Sequence, residues 1–218
     1  MEWRFLLACR QGKLNEVKQL LQNTSINVNV RDEWGVHFTA LMYACENGNF
    51  EVVQLLIKDE RTSLNLVDDF GRSAFYWACT YGRVEIVKFM LTLNELDINQ
   101  QDRYGKTPFM KSCYYGHLEI VEMFLVCGRP ININHKMTNG RTAIVLTREG
   151  RASDEKKCWE TVESFNKRKE NYLEIERLID SFKLNPKETR FILRIRLGFT
   201  SNFFFFQIFF FFQFHNRK

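Results

Sequence analysis

Asp102-Arg-Tyr-Gly-Lys-Thr-Pro-Phe-Met-Lys-Ser-Cys-Tyr-Tyr-Gly-His-Leu-Glu-Ile-Val-Glu-Met-Phe-Leu125 reads as one complete structural unit. Asp102 followed by Gly105 predicts a tight hairpin, with the carboxylate bonding back to the local backbone. Thr107 and Pro108 then open a helix. Threonine serves as the N-cap, and proline occupies the first helical position, where its missing N–H costs nothing. Gly116 closes that helix with the left-handed backbone conformation that an antiparallel return requires. In the element that follows, Leu118, Val121, Phe124 and Leu125 fall at i, i+3, i+6 and i+7. They lay one apolar stripe along a second helix.

The unit repeats. Gly12, Gly48, Gly82, Gly116 and Gly150 follow one another at spacings of 36, 34, 34 and 34. Each sits in a related phrase: Ala8-Cys-Arg-Gln-Gly12, Ala44-Cys-Glu-Asn-Gly48, Ala78-Cys-Thr-Tyr-Gly82, Ser112-Cys-Tyr-Tyr-Gly116 and Thr147-Arg-Glu-Gly150. The hairpin phrase returns as Asp32-Glu-Trp-Gly35, Asp68-Asp-Phe-Gly71 and the weaker Met137-Thr-Asn-Gly140. The second helix returns over Leu14–Leu21, Phe50–Ile57 and Val84–Leu91. A fixed period of this length marks a solenoid. Stacked repeats make a long exposed face and need no catalytic pocket, so holding a partner is the default activity.

The stretch from Asp102 to Leu125 closely resembles the ankyrin repeat, whose pattern is Asp-x-x-Gly-x-Thr-Pro-Leu-His-x-Ala followed by Gly-x-Leu-Glu-Ile-Val. The resemblance covers residues 1–150 strongly and 171–182 more loosely. It implies an all-α ankyrin-repeat solenoid of about five helix-turn-helix units with short β-hairpin-like fingers. The chain also departs from the pattern. Two residues are inserted after Gly35, so Thr39 fills the threonine slot. The family's histidine is replaced by Met42, Tyr76, Met110 and Val145. The fifth repeat loses its hairpin aspartate to Met137, and its second helix resumes only at Tyr172. That repeat is expected to be the loosest.

Composition sets wider bounds. A net charge of +5 over 218 residues, with both signs interspersed, gives no electrostatic case for nucleic acid. Phe5-Leu-Leu-Ala-Cys9 mimics a lipoprotein cleavage box, but its apolar run is too short and it reads as part of the first inner helix. Cys9, Cys45, Cys79 and Cys113 share one repeat slot. Neighbouring units stack at about 8–10 Å, beyond the roughly 7 Å at which two cysteine Cα atoms can be bridged. They read as small buried residues of a reducing compartment, the cytoplasm or secondarily the nucleus. Cys127 and Cys158 have no partner at metal-ligand spacing. Cys113 and His117, at i and i+4, imitate a nucleophile and base, but both fall in repeat slots. No phosphate-binding loop, metal motif or nucleophile elbow is present, so neither catalysis nor a cofactor is expected.

The resemblance also indicates where a partner would sit, along the finger tips and the exposed side of the inner helices. Carried over slot by slot, the tips are Glu33 and Trp34, Asp69 and Phe70, and Arg103 and Tyr104. The inner-helix ends are Glu46 and Asn47, Thr80 and Tyr81, and Tyr114 and Tyr115. Trp34, Phe70 and Tyr104 occupy one slot that ends in Asn139. Those rings either anchor an interface or pack on the next finger and stiffen the row.

By these signals residues 1–182 form the repeat domain, with a balanced charged segment at 151–170 interrupting the fifth repeat. Trp159, Val162, Phe165 or Asn166, Tyr172 and Ile175 are spaced to prolong the second helix through that segment, the alternative being a protruding recognition helix or a regulatory loop. Asn185-Pro-Lys-Glu188 starts a further helix with a capping box, predicting a cap over 183–198. Residues 199–218 contain Phe203-Phe-Phe-Phe-Gln-Ile-Phe-Phe-Phe-Phe-Gln-Phe214. As a helix from Phe199 to Phe214 it would reach only about 24 Å at 1.5 Å per residue, short of a hydrocarbon core of roughly 30 Å. The run reads as disordered chain or as translated thymine-rich sequence, and in the second case the protein would continue differently beyond about Leu197.

The expected function is a non-catalytic, monomeric scaffold or adaptor that presents its concave face to another protein, without nucleic acid or membrane. The alternatives are the targeting module of a larger kinase or ubiquitin ligase and a tail-anchored membrane adaptor.

Overall fold

The computed structural model describes residues 1–33, 35–153 and 161–198, which form eleven helices and no extended strand. The inner helices α1 (Glu2–Arg10), α3 (Ala40–Asn47), α5 (Ala74–Thr80), α7 (Pro108–Tyr114) and α9 (Ala143–Ser153) pack side by side in chain order. The outer helices α2 (Leu14–Leu21), α4 (Phe50–Lys58), α6 (Val84–Met90) and α8 (Leu118–Val126) follow them on the other side. A 23-residue helix, α10 (Val162–Leu184), takes the outer place of the fifth unit. The last helix, α11 (Pro186–Arg196), lies against α10 and α8. One continuous apolar cluster runs the length of the stack, from Phe5 to Leu193.

Local chemistry matches the sequence reading unit by unit. Thr39, Ser73 and Thr107 each cap an inner helix by accepting the N–H of the residue three ahead, and Pro108 holds the first position of α7. Gly12, Gly48, Gly82 and Gly116 all carry φ between +65° and +80°. A side chain from the next unit lies over each of these glycines and donates to the free carbonyls that end the preceding inner helix. Asn49 donates to Cys9 and Arg10 (2.9 and 3.0 Å), and Arg83 to Glu46 (2.9 Å). His117 Nε2 sits 3.0 Å from the Thr80 carbonyl, and the Tyr172 hydroxyl donates to Tyr114 (3.1 Å). A helix leaves its last carbonyls without intrahelical partners. In this chain they are satisfied between repeats, so the same bonds hold the units in register.

Gly150 departs from the row. It follows Thr142 by eight positions, whereas Gly116 follows Thr107 by nine. The shorter spacing puts it inside α9, which runs on to Ser153, instead of in a turn. A Cβ placed there would lie 1.9 Å from the Tyr114 carbonyl oxygen. Gly150 therefore permits the close approach of α9 to α7 and closes no helix. The fifth second helix accordingly starts late, at Val162, and its buried residues are Tyr172, Ile175, Leu178, Ile179 and Phe182.

The helix start at Asn185 is half of the expected capping box, because the Asn185 backbone N–H donates to Ser181 and Glu188 takes the side-chain amide instead. The Glu188 N–H donates to Asn185 Oδ1 (3.2 Å), and Asn185 Nδ2 donates to the Glu188 carboxylate (2.7 Å). Leu193 is buried beneath α11, Arg190 Nε donates to the Leu125 carbonyl (3.1 Å), and Arg196 bridges Glu122 and Glu174. Among the described residues no helix is long and apolar enough to cross a membrane. The readings of Trp34, Trp159 and the Phe203–Phe214 run fall outside the described residues.

Candidate functional site

Four fingers project before the inner helices, at residues 31–39, 67–73, 101–107 and 136–142. Each is closed by one backbone bond across its base: Asp32 to Phe38, Asp68 to Arg72, Asp102 to Lys106 and Met137 to Arg141. Successive fingers are joined by further backbone bonds, Asp69 to Val36, Arg103 to Phe70 and Thr138 to Tyr104. The row is thus a ladder rather than a set of separate loops. The loss of aspartate at Met137 leaves the fourth finger's base bond in place.

The buried hairpin aspartates tie the fingers to the helices behind them. Asp68 accepts the N–H groups of Phe70 and Arg72, the Arg72 guanidinium (2.7 Å) and the Trp77 indole (3.2 Å). Asp102 accepts the N–H groups of Tyr104 and Lys106 and the Tyr76 hydroxyl (2.7 Å). Asp32 is tied in the same way by the Tyr43 hydroxyl. Tyr76, standing where the family pattern has histidine, thus links its own repeat to the next finger. Burial and the adjacent Asp102 carboxylate push its phenol far above the usual tyrosine range.

In the finger slot that Trp34, Phe70 and Tyr104 share, Phe70 is half-buried between two guanidiniums, Arg103 at 3.7 Å and Arg72 at 4.4 Å from its ring centre. The Arg72 guanidinium also covers Trp77 at 4.2 Å, and Trp77 stacks on Tyr81 with ring centres 5.8 Å apart. Guanidinium over an aromatic face is attractive and orders both partners. Tyr104 and Tyr81 end this network at the surface, with exposures of 51% and 46%, and Tyr115, 40% exposed, stacks separately on His117.

The other predicted contacts divide. Glu33 and Arg103 are exposed. Asn47 is exposed but donates to the Tyr43 carbonyl, and exposed Asp69 pairs with His37 at 2.7 Å. Glu46 and Tyr114 are half-buried, and their carbonyls accept the bonds from the next repeat. Thr80 is buried at 8% exposure, with its hydroxyl donating to Tyr76. The bond runs within α5, so the expected contact at Thr80 is a buried side chain turned onto its own helix. Sequence reasoning passed over Arg72, Lys106 and Lys111. Lys111 shares the inner-helix slot of Tyr43 and Trp77, four residues after the capping hydroxyl, and that slot was the available signal.

Cys113 and His117 each have other partners: the Cys113 thiol is buried, and the His117 ring lies on the Thr80 carbonyl. Burial pushes the Cys113 thiol well above its ordinary range, while His117 is held neutral by burial and spends its ring on Thr80. Cys9 is pushed up to about 12, and Cys45, Cys79 and Cys127 are raised as well. All five described cysteines are free and buried. Among the described residues no cluster of three or more His, Cys, Asp or Glu side chains could hold a metal ion.

Comparison with protein families agrees with this architecture. A family model described as ankyrin repeats (3 copies) matches residues 5–102. A second, described as ankyrin repeats (many copies), matches residues 93–146.

Proposed function

The chain belongs to the ankyrin repeat family, whose repeats are protein–protein interaction modules, and from that premise we propose that it is a non-catalytic scaffold gripping a protein partner along its fingers and inner-helix ends. The observation that carries this reading is the arrangement of Tyr81, Tyr104 and Tyr115. They are large rings half open to solvent, held by a bonded ladder of fingers and by stacking on buried or half-buried neighbours. Such a surface is preorganised, which lowers the ordering cost of association. Tyrosines so placed are the residue type that dominates interface energetics.

The reduced, buried state of the five described cysteines supports a cytoplasmic setting. Tyr104→Ala combined with Tyr115→Ala tests the function. Loss of a co-purifying partner with the melting temperature nearly unchanged is the expected result. A lowered melting temperature with the partner retained would assign these rings to packing instead.

A further inference from the structure

Three cations stand close to one another beside the third finger. Arg103 and Lys106 stand on the third finger, and Lys111 stands one turn into α7. Among the described residues none of the three pairs with a carboxylate. The aspartates beside them, Asp68 and Asp102, are buried and saturated by backbone, Arg72, Trp77 and Tyr76 donors. The cations lie among rings: Lys106 is 5.8 Å and Arg103 5.7 Å from the Tyr104 ring centre, and Lys111 is 4.6 Å from Tyr115. The patch is bounded by negative charge. Asp69 and Glu46 lie toward the N-terminal end, and Glu149, paired with Arg141, lies toward the other.

We propose that this patch receives an acidic peptide segment of the partner protein, its carboxylates set against Arg103, Lys106 and Lys111 and its apolar atoms against Tyr81, Tyr104 and Tyr115. The inference rests on the partner-binding reading above and adds the chemical class of the partner. Charge complementarity selects the occupant, since uncompensated cations beside exposed rings favour carboxylates interspersed with apolar groups. The acidic margins disfavour a nucleic acid, whose continuous phosphate backbone would run past the patch into Glu46 and Asp69.

Lys111 supplies an independent signature. Burial first, then the neighbouring Lys106 and Arg72, bring its ammonium down to about 8, against the opposing pull of Asp102. The rings beside it are Tyr114 and Tyr115, and the α5 residue facing Asp102 is Tyr76. A carboxylate docked there restores the charged form, so binding at about pH 8 takes up as much as about 0.5 proton per complex.

A displayed library of random peptides selected on the full chain is expected to enrich Asp and Glu. Enriched peptides carrying a fluorophore are expected to bind about tenfold or more weakly to Arg103→Gln/Lys106→Gln/Lys111→Gln. The double variant Arg103→Gln/Lys106→Gln, which leaves half-buried Lys111 intact, is expected to weaken binding in the same direction. Calorimetry in two buffers of different protonation enthalpy should read the proton uptake in the parent chain and none in Lys111→Arg. Neutral or basic peptides lost on Tyr104→Ala/Tyr115→Ala overturn the acidic class and leave the partner face standing. Peptides indifferent to both sets of substitutions overturn the partner face itself. Oligothymidylate binding more tightly than the selected peptides overturns the proposal in favour of nucleic acid.

Discussion

At the residue scale, one glycine carries a burden different from the others. Gly140 has φ of +78° and open space around its missing Cβ, so Gly140→Ala meets only backbone strain of about 1 kcal/mol. Gly150 has ordinary helical backbone, but a Cβ there runs into the Tyr114 carbonyl. Gly150→Ala is expected to cost about 3 kcal/mol or to displace α9 from α7 altogether. Urea denaturation of the two variants checks the contrast, and equal costs would contradict it. The cysteine slot makes a second prediction. Thiolate is the reactive form, and burial keeps Cys45, Cys79 and Cys113 protonated. Site-resolved mass spectrometry after iodoacetamide should find these three unmodified in the native chain and alkylated in denaturant.

At the scale of the element, the bonds between repeats decide stability. His117 has its titration lowered from 6.5 by burial, so its neutral form is favoured in the fold. A base with a depressed folded pKa contributes stability that is present above its unfolded value and lost as pH falls below it. Stability is therefore expected to decline as pH drops beneath about 6.5, and His117→Gln should remove that part of the slope while keeping a donor for Thr80. Melting curves from pH 7 to 5 compare the two chains. Glu122 is the opposite case: burial raises its pKa while Arg196 lowers it. Arg196→Met leaves a buried carboxylate without its counter-ion and should cost about 1–2 kcal/mol at neutral pH, discounted for the half-exposed guanidinium. That cost shrinks as acid protonates Glu122. A loss independent of pH would assign Arg196 to packing alone. The fifth unit shows what the chain pattern conveys at this scale and what it does not. The apolar spacing from Tyr172 onward was legible because helical periodicity needs no partner to be seen. The one-residue shortening before Gly150 was also there to be read, but the close approach to Tyr114 that requires glycine at that position was not, because it depends on the neighbouring helix.

At the scale of the whole molecule, the main helix contacts among the described residues join each repeat to its neighbours, so the chain is expected to behave as a one-dimensional stack. Damage is expected to stay local. In Gly150→Ala, hydrogen exchange should accelerate over α7, α9 and α10 while α1 to α4 keep their protection. Uniform acceleration would instead indicate a single cooperative unit. Much of this architecture is written in the chain. The glycine period, the capping hydroxyls and the Asp-x-x-Gly phrase specify local backbone conformations, and local conformation repeated at a fixed interval leaves a solenoid as the way to bury every stripe. The surface is a different matter. That Phe70 lies between two guanidiniums, that Thr80 is buried, that Tyr76 reaches Asp102 and that Arg103, Lys106 and Lys111 stand together with no ion pair among the described residues were decided only by the tertiary structure. Those contacts join residues of different repeats, and their distances depend on how the units stack. The sequence alone determined the fold because the fold is built from local rules. The face offered to a partner is set by packing between units, which no local rule contains.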